Sequence, residues 1–575
     1  MKLSWNRVFL FLLLLFIAGA VLYPDSFGNN PDIIQDESYF LTSSLASIQK
    51  HTLPGWEFSP SGAYYGGIQT YLDTVAMMPV VAYAVISAHF SLLQAQVQLA
   101  LHTGDLLHVL RLVNGILIVG VIGSFFWYFS KRKIPRLLAW QLLFVLFLLL
   151  GNSIVIGLLH TAKVWSIALL IETSIGILFL ANEYFVSRFN TLFIPQKTYV
   201  MLMVWGVVLA FFQDFVGVFT AGLWFLYAIA LGHFPIRDVI GYLKKHWYIV
   251  AIFSLTQISF FCRGIIARVH PSLLDYAGNS TRDPTGGIDW LHRLYDPVIN
   301  ALWSEPLVIL YPIGIILTIV WAMRDTSFLV RTRDRIFVVI AIINPLLTFL
   351  FYYGILGFSL FPRYSLPLAA ACSFSAAMLL VQSRKVLAGA LVLSGAVFAV
   401  VSLQSIELFW QPSSAVMLER TIAARYNSPD NVFIIEPASL RLALPINDRS
   451  LALLNDRRKA LTRFTFLSRY PTLVHKDVSF APIILFADTA QEERSYLNQF
   501  GNGTSSVWTI TQDCARMCAP KEVQEGSCFA INAPACDAFS PDDQKEYPVL
   551  LLSDFLSQSQ LGITYIAHKV WSAKR

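Results

Sequence analysis

The stretch PDIIQDESYF, residues 31–40, places Asp32, Asp36 and Glu37 shortly after an apolar run that begins at residue 8. A carboxylate held at a membrane surface is suited to take the proton of an acceptor hydroxyl. If the reacting group is carried on a lipid phosphate, cationic or hydrogen-bonding groups are also needed, because the departing phosphate gains charge as its bond breaks. The competing reading is a solvated loop start whose charges keep the segment out of lipid. Other polar residues stand at the ends of apolar segments: His160 and Lys163 in GLLHTAKVWS (157–166), Asp214 in FFQDFVG (211–217), and Arg363 and Tyr364 in FPRYSLPLAA (361–370). The segment 265–304 adds His270, Trp290 and His292 among glycines, prolines and aromatics. That mixture suits sugar recognition or closure over an acceptor, and equally a plain connection.

These residues sit at the ends of membrane spans. The chain has 575 residues, 56% hydrophobic and 14% charged, a composition far from that of a soluble globular protein. A bilayer core about 30 Å thick needs roughly 20 apolar residues per helical span. Such segments fall near 8–24, 107–129, 137–157, 163–183, 198–212, 215–233, 247–264, 305–323, 336–357, 364–382 and 386–404, which makes eleven. Basic clusters alternate with them: Lys131 to Arg136, Arg188 with Lys197, Arg237 with Lys244 and Lys245, Arg324 to Arg335, and Arg384 with Lys385. Under the positive-inside rule these ends are cytoplasmic. The formal net charge of +6 therefore reads as topology and not as a nucleic-acid surface.

Residues 70–91 are also apolar, but counting them as a span would put Lys131 to Arg136 outside. They are read as an interfacial or re-entrant helix broken near Pro79. The first external loop then covers 25–106 and includes SYFLTSSLASI (38–48), whose Tyr39, Leu41, Leu45 and Ile48 share one helical face. Residues 8–20 also have the look of a signal peptide, whose removal would not alter sidedness downstream. The expected domains are 1–404, a transmembrane bundle of mostly α character, and 405–575, a soluble external α/β domain. In the latter, NVFIIE (431–436) and PIILFA (482–487) read as buried strands.

Cys262 and Cys372 lie at or within spans, whereas Cys514, Cys518, Cys528 and Cys536 crowd into the tail. In an oxidising compartment four close cysteines read as two disulfides of undefined connectivity. The alternative is a four-thiolate zinc site, whose usual short paired knuckles are absent.

One span, an external Asp-Glu pair opening an amphipathic helix, a long loop, and then HVLRLVNGILIVGVIGSFFWYFSKRK (108–133) together resemble the GT-C integral-membrane glycosyltransferases, the protein mannosyltransferase and aminoarabinose transferase-like families. FPRYSLPLAA is similar to the Arg-Tyr-x-x-Pro element that opens a late span there. The resemblance implies an enzyme that transfers a sugar from a polyprenyl-phosphate donor to a glycan, lipid or protein acceptor on the extracytoplasmic side of the cell (inner) membrane. It implies Asp36 as base, Glu37 as its acidic partner and Arg363 at the donor phosphate. A divalent cation, Mg or Mn, is compatible with the acid pair. Where many relatives carry a second Asp, this chain has His160 and Lys163, which could hold phosphate instead; Lys163 could also simply snorkel from a span end. Asp214 lines the cavity or marks a turn. A transporter or flippase of polyprenyl-linked saccharides, or a glycan ligase, is the alternative. No internal repeat of the kind transporters show is present, and no G-x-x-x-x-G-K-[ST] loop occurs.

Overall fold

The computed structural model describes residues 5–22, 67–92, 103–132, 134–159, 164–213, 217–268, 306–324, 332–355, 366–381, 383–409, 414–436, 447–453, 480–487, 489–500, 505–531 and 565–571, with single residues or pairs at 44–45, 48, 95, 99, 298 and 444. Each of the eleven predicted spans coincides with helix. They are α1 (Trp5–Val21), α3 (Thr103–Arg132), α4 (Arg136–Leu150), α6 (Val164–Phe189), α7 (Gln196–Gln213), α8 (Gly217–Ala230), α9 (Ile236–Arg268), α10 (Leu310–Arg324), α11 (Thr332–Phe349, continuing as a π segment Leu350–Ile355), α12 (Leu366–Leu380) and α13 (Arg384–Phe409). The chain is an integral membrane protein: among the described residues six helices are long and apolar enough to cross a bilayer, one of them the segment Ile68–Ser87 that the sequence reading does not count as a span, five more are shorter apolar helices, and side chains such as Phe11, Trp127 and Val392 are exposed.

Three details depart from expectation. Segment 70–91 forms one continuous helix, α2 (Gly67–Ser87), with Pro79 inside it, so the predicted break is not there. Neighbouring groups in a membrane setting re-satisfy the carbonyl that proline leaves without a donor. The predicted span 137–157 is split, because α4 ends at Gly151 and Asn152 begins the short α5 (Ser153–Leu159) by accepting the Val155 N–H at 3.0 Å. Helix α9 contains a kink at His246, where φ is −119° and ψ 17°, so the predicted span starts one residue after it.

The helix ends sort by charge. Lys131 and Arg132 close α3, Arg188 closes α6, Arg324 closes α10, and α4, α9, α11 and α13 begin with or near arginines. This basic end is tied by a buried network. Glu183 accepts from Arg333 through both Nε (3.1 Å) and Nη2, and its Oε2 lies 2.6 Å from His233 Nε2. The other ring nitrogen of His233 meets the Tyr199 hydroxyl at 3.2 Å. Four helix ends or connections are thereby joined through one carboxylate, the arrangement that makes a buried charge tolerable. In mid-bundle, Phe179, Trp224 and Phe374 pack as tilted rings in the core, with centroids 5.2 and 5.0 Å apart. A Cβ on Gly176 would lie 2.6 Å from the Phe374 ring, so α6 and α12 approach through the missing side chain.

Beyond α13 the character changes. Helix α14 (Ser414–Arg425) leads into a five-stranded sheet built from β1 (Asn431–Ile435), β2 (Ile483–Phe486), β3 (Ser506–Thr511), β4 (Cys528–Ile531) and β5 (Tyr565–Trp571), in the order β2-β1-β3-β5-β4. β1 pairs parallel with β2 and β3, and β5 runs antiparallel to β3 and β4. Helices α15 (Asp448–Leu453), α16 (Ala490–Phe500) and α17 (Pro520–Gln524) complete the α/β layer. Val432 to Ile435 are all fully buried, as expected of a strand covered on both faces. The same apolar cluster takes in Ile156 of α5 and Val401 of α13, so the sheet is seated on the bundle end opposite the basic one.

Candidate active site

Asp36, Glu37, His160, Lys163, Asp214, His270, Trp290, His292, Arg363 and Tyr364 lie outside the described residues. The described residues that flank several of them converge on the end opposite the basic one. A Cβ on Gly115 would lie 3.0 Å from Leu22, the last described residue before the acid segment. Leu159, which precedes His160, and Leu366, which follows Arg363 by three positions, belong to one apolar cluster with Val21 and Ile118. Gln213, which precedes Asp214, is bonded to α2 beside the same stretch of α3.

At this end a polar cluster is buried between α2, α3 and α7. Gln213 Oε1 accepts the backbone N–H of Gln69 at 3.1 Å, and Gln69 Nε2 donates to Asp73 Oδ1 at 2.8 Å and to Asn114 Oδ1 at 3.3 Å. The Gln69 N–H is one of the first-turn donors of α2 that no intrahelical carbonyl can satisfy, so the Gln213 side chain acts as a cap delivered from another helix. Asp73 is 1% and Arg111 2% exposed. Arg111, one turn before Asn114, shares its face of α3, with His108 three positions earlier. Ser44 joins the group by donating to the Thr70 carbonyl at 3.3 Å, which brings the first loop against α2. Gln69 Oε1 is buried and, among the described residues, accepts no hydrogen bond. A buried acid, a buried arginine and two amides at the edge of a bilayer can hydrogen-bond hydroxyls and oppose the charge of a phosphate. Residue types gave a partial signal here: Asp73 and Arg111 are charges inside apolar runs. Gln69, Asn114 and Gln213 gave none.

In the α/β domain Cys518 and Cys528 are disulfide-bonded, with Cα atoms 5.6 Å apart. Cys514 begins a 3-10 turn (Cys514–Arg516), and Cys536 lies outside the described residues, as does the second predicted pairing. Among the described residues one group of three potential metal donors occurs, Glu522, Cys528 and His568. It does not fit a cation: the Cys528 sulfur is committed to the disulfide, and His568 Nε2 lies 2.6 Å from the Arg516 carbonyl, to which it must donate.

No family model matches the chain, and no curated protein matches it in sequence. Among solved structures it is similar to ArnT from Cupriavidus metallidurans bound to undecaprenyl phosphate, at 12% identity and a TM-score of 0.39, covering 91% of this chain and 95% of that one. The apo state of the same protein gives 13% identity and a TM-score of 0.41, covering 92% and 96%. At that identity no residue's role passes from one chain to the other.

Proposed function

We propose that the protein transfers a sugar from a polyprenyl-phosphate donor to an acceptor hydroxyl at the membrane face opposite its basic helix ends. The observation that supports this reading is the convergence of the flanks Leu22, Leu159, Gln213 and Leu366 on one bundle end, beside the buried Gln69, Asp73, Arg111 and Asn114. In the proposed reaction the Asp36 carboxylate takes the acceptor hydroxyl proton, with Glu37 supporting it, while the acceptor oxygen forms a bond to the anomeric carbon. The bond from that carbon to the phosphate oxygen breaks, and polyprenyl phosphate leaves with the electron pair. Arg363, His160 and Lys163 oppose the growing phosphate charge, as guanidinium and ammonium groups do in other transfers. The positive-inside rule supports an external reacting face and an extracytoplasmic sheet domain, where a disulfide persists.

The test is mass analysis of lipid extracts from membranes with and without the protein. Loss of the protein should leave a polyprenyl-phosphate sugar accumulated and its acceptor unmodified. An unchanged lipid profile in cells shown to express the protein would reject the reading.

A further inference from the structure

A second polar site lies at the other membrane face. A cavity of about 290 Å³ opens among α4, α6 and α11 on the basic side of the bundle, closed by Val381 just past α12. Its apolar wall is Leu180, Phe337, Val338 and Val381, and its polar wall is Glu183, Tyr184, Ser187, Arg188 and Asp334. The charge on Glu183 is already met by Arg333 and His233. Arg188 and Asp334 are different: among the described residues neither makes a hydrogen bond or an ion pair, although both border the same cavity. The rim thus presents one cation and one anion that no described residue partners. The two helices that carry these charges also expose apolar side chains beyond the cavity, Phe189 at 54% and Val339 at 52%, as lipid-facing helices do.

We propose that this cavity binds the headgroup of a zwitterionic phospholipid with a primary ammonium, a phosphatidylethanolamine. The phosphate would face Arg188, whose planar donor fork suits it, and the ammonium would donate to Asp334. A phosphatidylcholine ammonium has no N–H to donate, and a phosphatidylglycerol has no cation for Asp334. The apolar wall of Leu180, Phe337, Val338 and Val381 would receive the start of the acyl chains, which favours a lipid over a soluble zwitterion. Basic pockets between helices at the headgroup level are known lipid sites; the acid opposite the arginine is what selects the headgroup here. The proposal is independent of the transfer reaction.

The test is native mass spectrometry of the full-length protein released from nanodiscs of phosphatidylcholine containing equal fractions of phosphatidylethanolamine and phosphatidylglycerol. Phosphatidylethanolamine should be retained over both others by about fivefold or more. Asp334→Asn should abolish that preference, and Asp238→Asn, an acid at the same end outside the cavity, should keep it. Should Asp334→Asn fail to fold, the parent protein decides alone: retention should fall stepwise as the ethanolamine nitrogen is methylated. Equal retention of ethanolamine and choline lipids, or an undiminished preference in folded Asp334→Asn protein, would overturn the proposal. Displacement of the lipid by excess free glycerophosphoethanolamine would assign the site to a soluble zwitterion and overturn it equally.

Discussion

Gln213, in the last turn of α7, accepts the first-turn N–H of Gln69 in α2 at 3.1 Å, across 144 residues of sequence. This one bond fixes the start of α2 against the bundle and holds Asp73, one turn further on, beside Asn114. Replacing Gln213 by Leu leaves a buried N–H without an acceptor, at a cost of about 1–3 kcal/mol. Gln213→Glu keeps an acceptor but buries a second carboxylate in the cluster that holds Asp73, so it should recover the loss only in acid, where that carboxyl is protonated. Thermal unfolding of the purified protein measures both variants, and equal stability of Gln213→Leu and the parent would refute the capping role.

The close approach of α6 and α12 gives a second outcome. Phe374 is 2% exposed and its ring packs tilted against Trp224, so it cannot swing away from a new methyl at Gly176. Gly176→Ala should therefore destabilise by about 1–3 kcal/mol through overpacking. Gly120, where a Cβ would meet nothing within 4 Å, is the control: Gly120→Ala should be neutral or gain up to about 1 kcal/mol from helix propensity. Denaturation midpoints of the two variants should separate in that order.

The sheet domain carries a pH signature. Burial raises the Glu493 carboxyl above its ordinary 4.5, and the nearby Glu436 charge raises it further, against opposing contributions from Arg516 and Arg494. The folded domain then binds this proton more tightly than the unfolded chain does. Its stabilising contribution is complete below about pH 4.5 and is lost as pH rises through the raised value. Glu493→Gln should flatten this part of the stability profile, so the parent-minus-variant difference in midpoint should decline from acid to neutral pH. A difference that is constant across that window would show the shift to be absent.

The sequence made the membrane helices legible because apolar length is a local property: about 20 residues suffice to state it. β1 and β2 were legible for the same reason, being short runs apolar on both faces. Asn152 shows where locality fails, since its capping of α5 divides an apolar stretch that hydropathy reads as one span. β5 was missed because it pairs with β3 from more than 50 residues away and its run, YIAHKVW, mixes polar and apolar residues. At the candidate site Asp73 was hidden inside a segment read for its hydropathy alone. Gln69, Asn114 and Gln213 come from three helices, and only the fold assembles them. Arg188 and Asp334 were legible as topology charges but not as two sides of one cavity.

In the proposed reaction Asp36 is the group that takes the acceptor proton. Asp36→Asn preserves the shape of the side chain and removes its ability to accept that proton. Turnover with a polyprenyl-phosphate sugar should fall by about 10²–10⁴ at equal protein concentration, and Glu37→Gln should fall less. The most direct measurement is the transfer rate of purified Asp36→Asn protein against the parent: a loss of that size is the expected result, and a rate within about threefold, worth roughly 0.65 kcal/mol of barrier, would contradict the account.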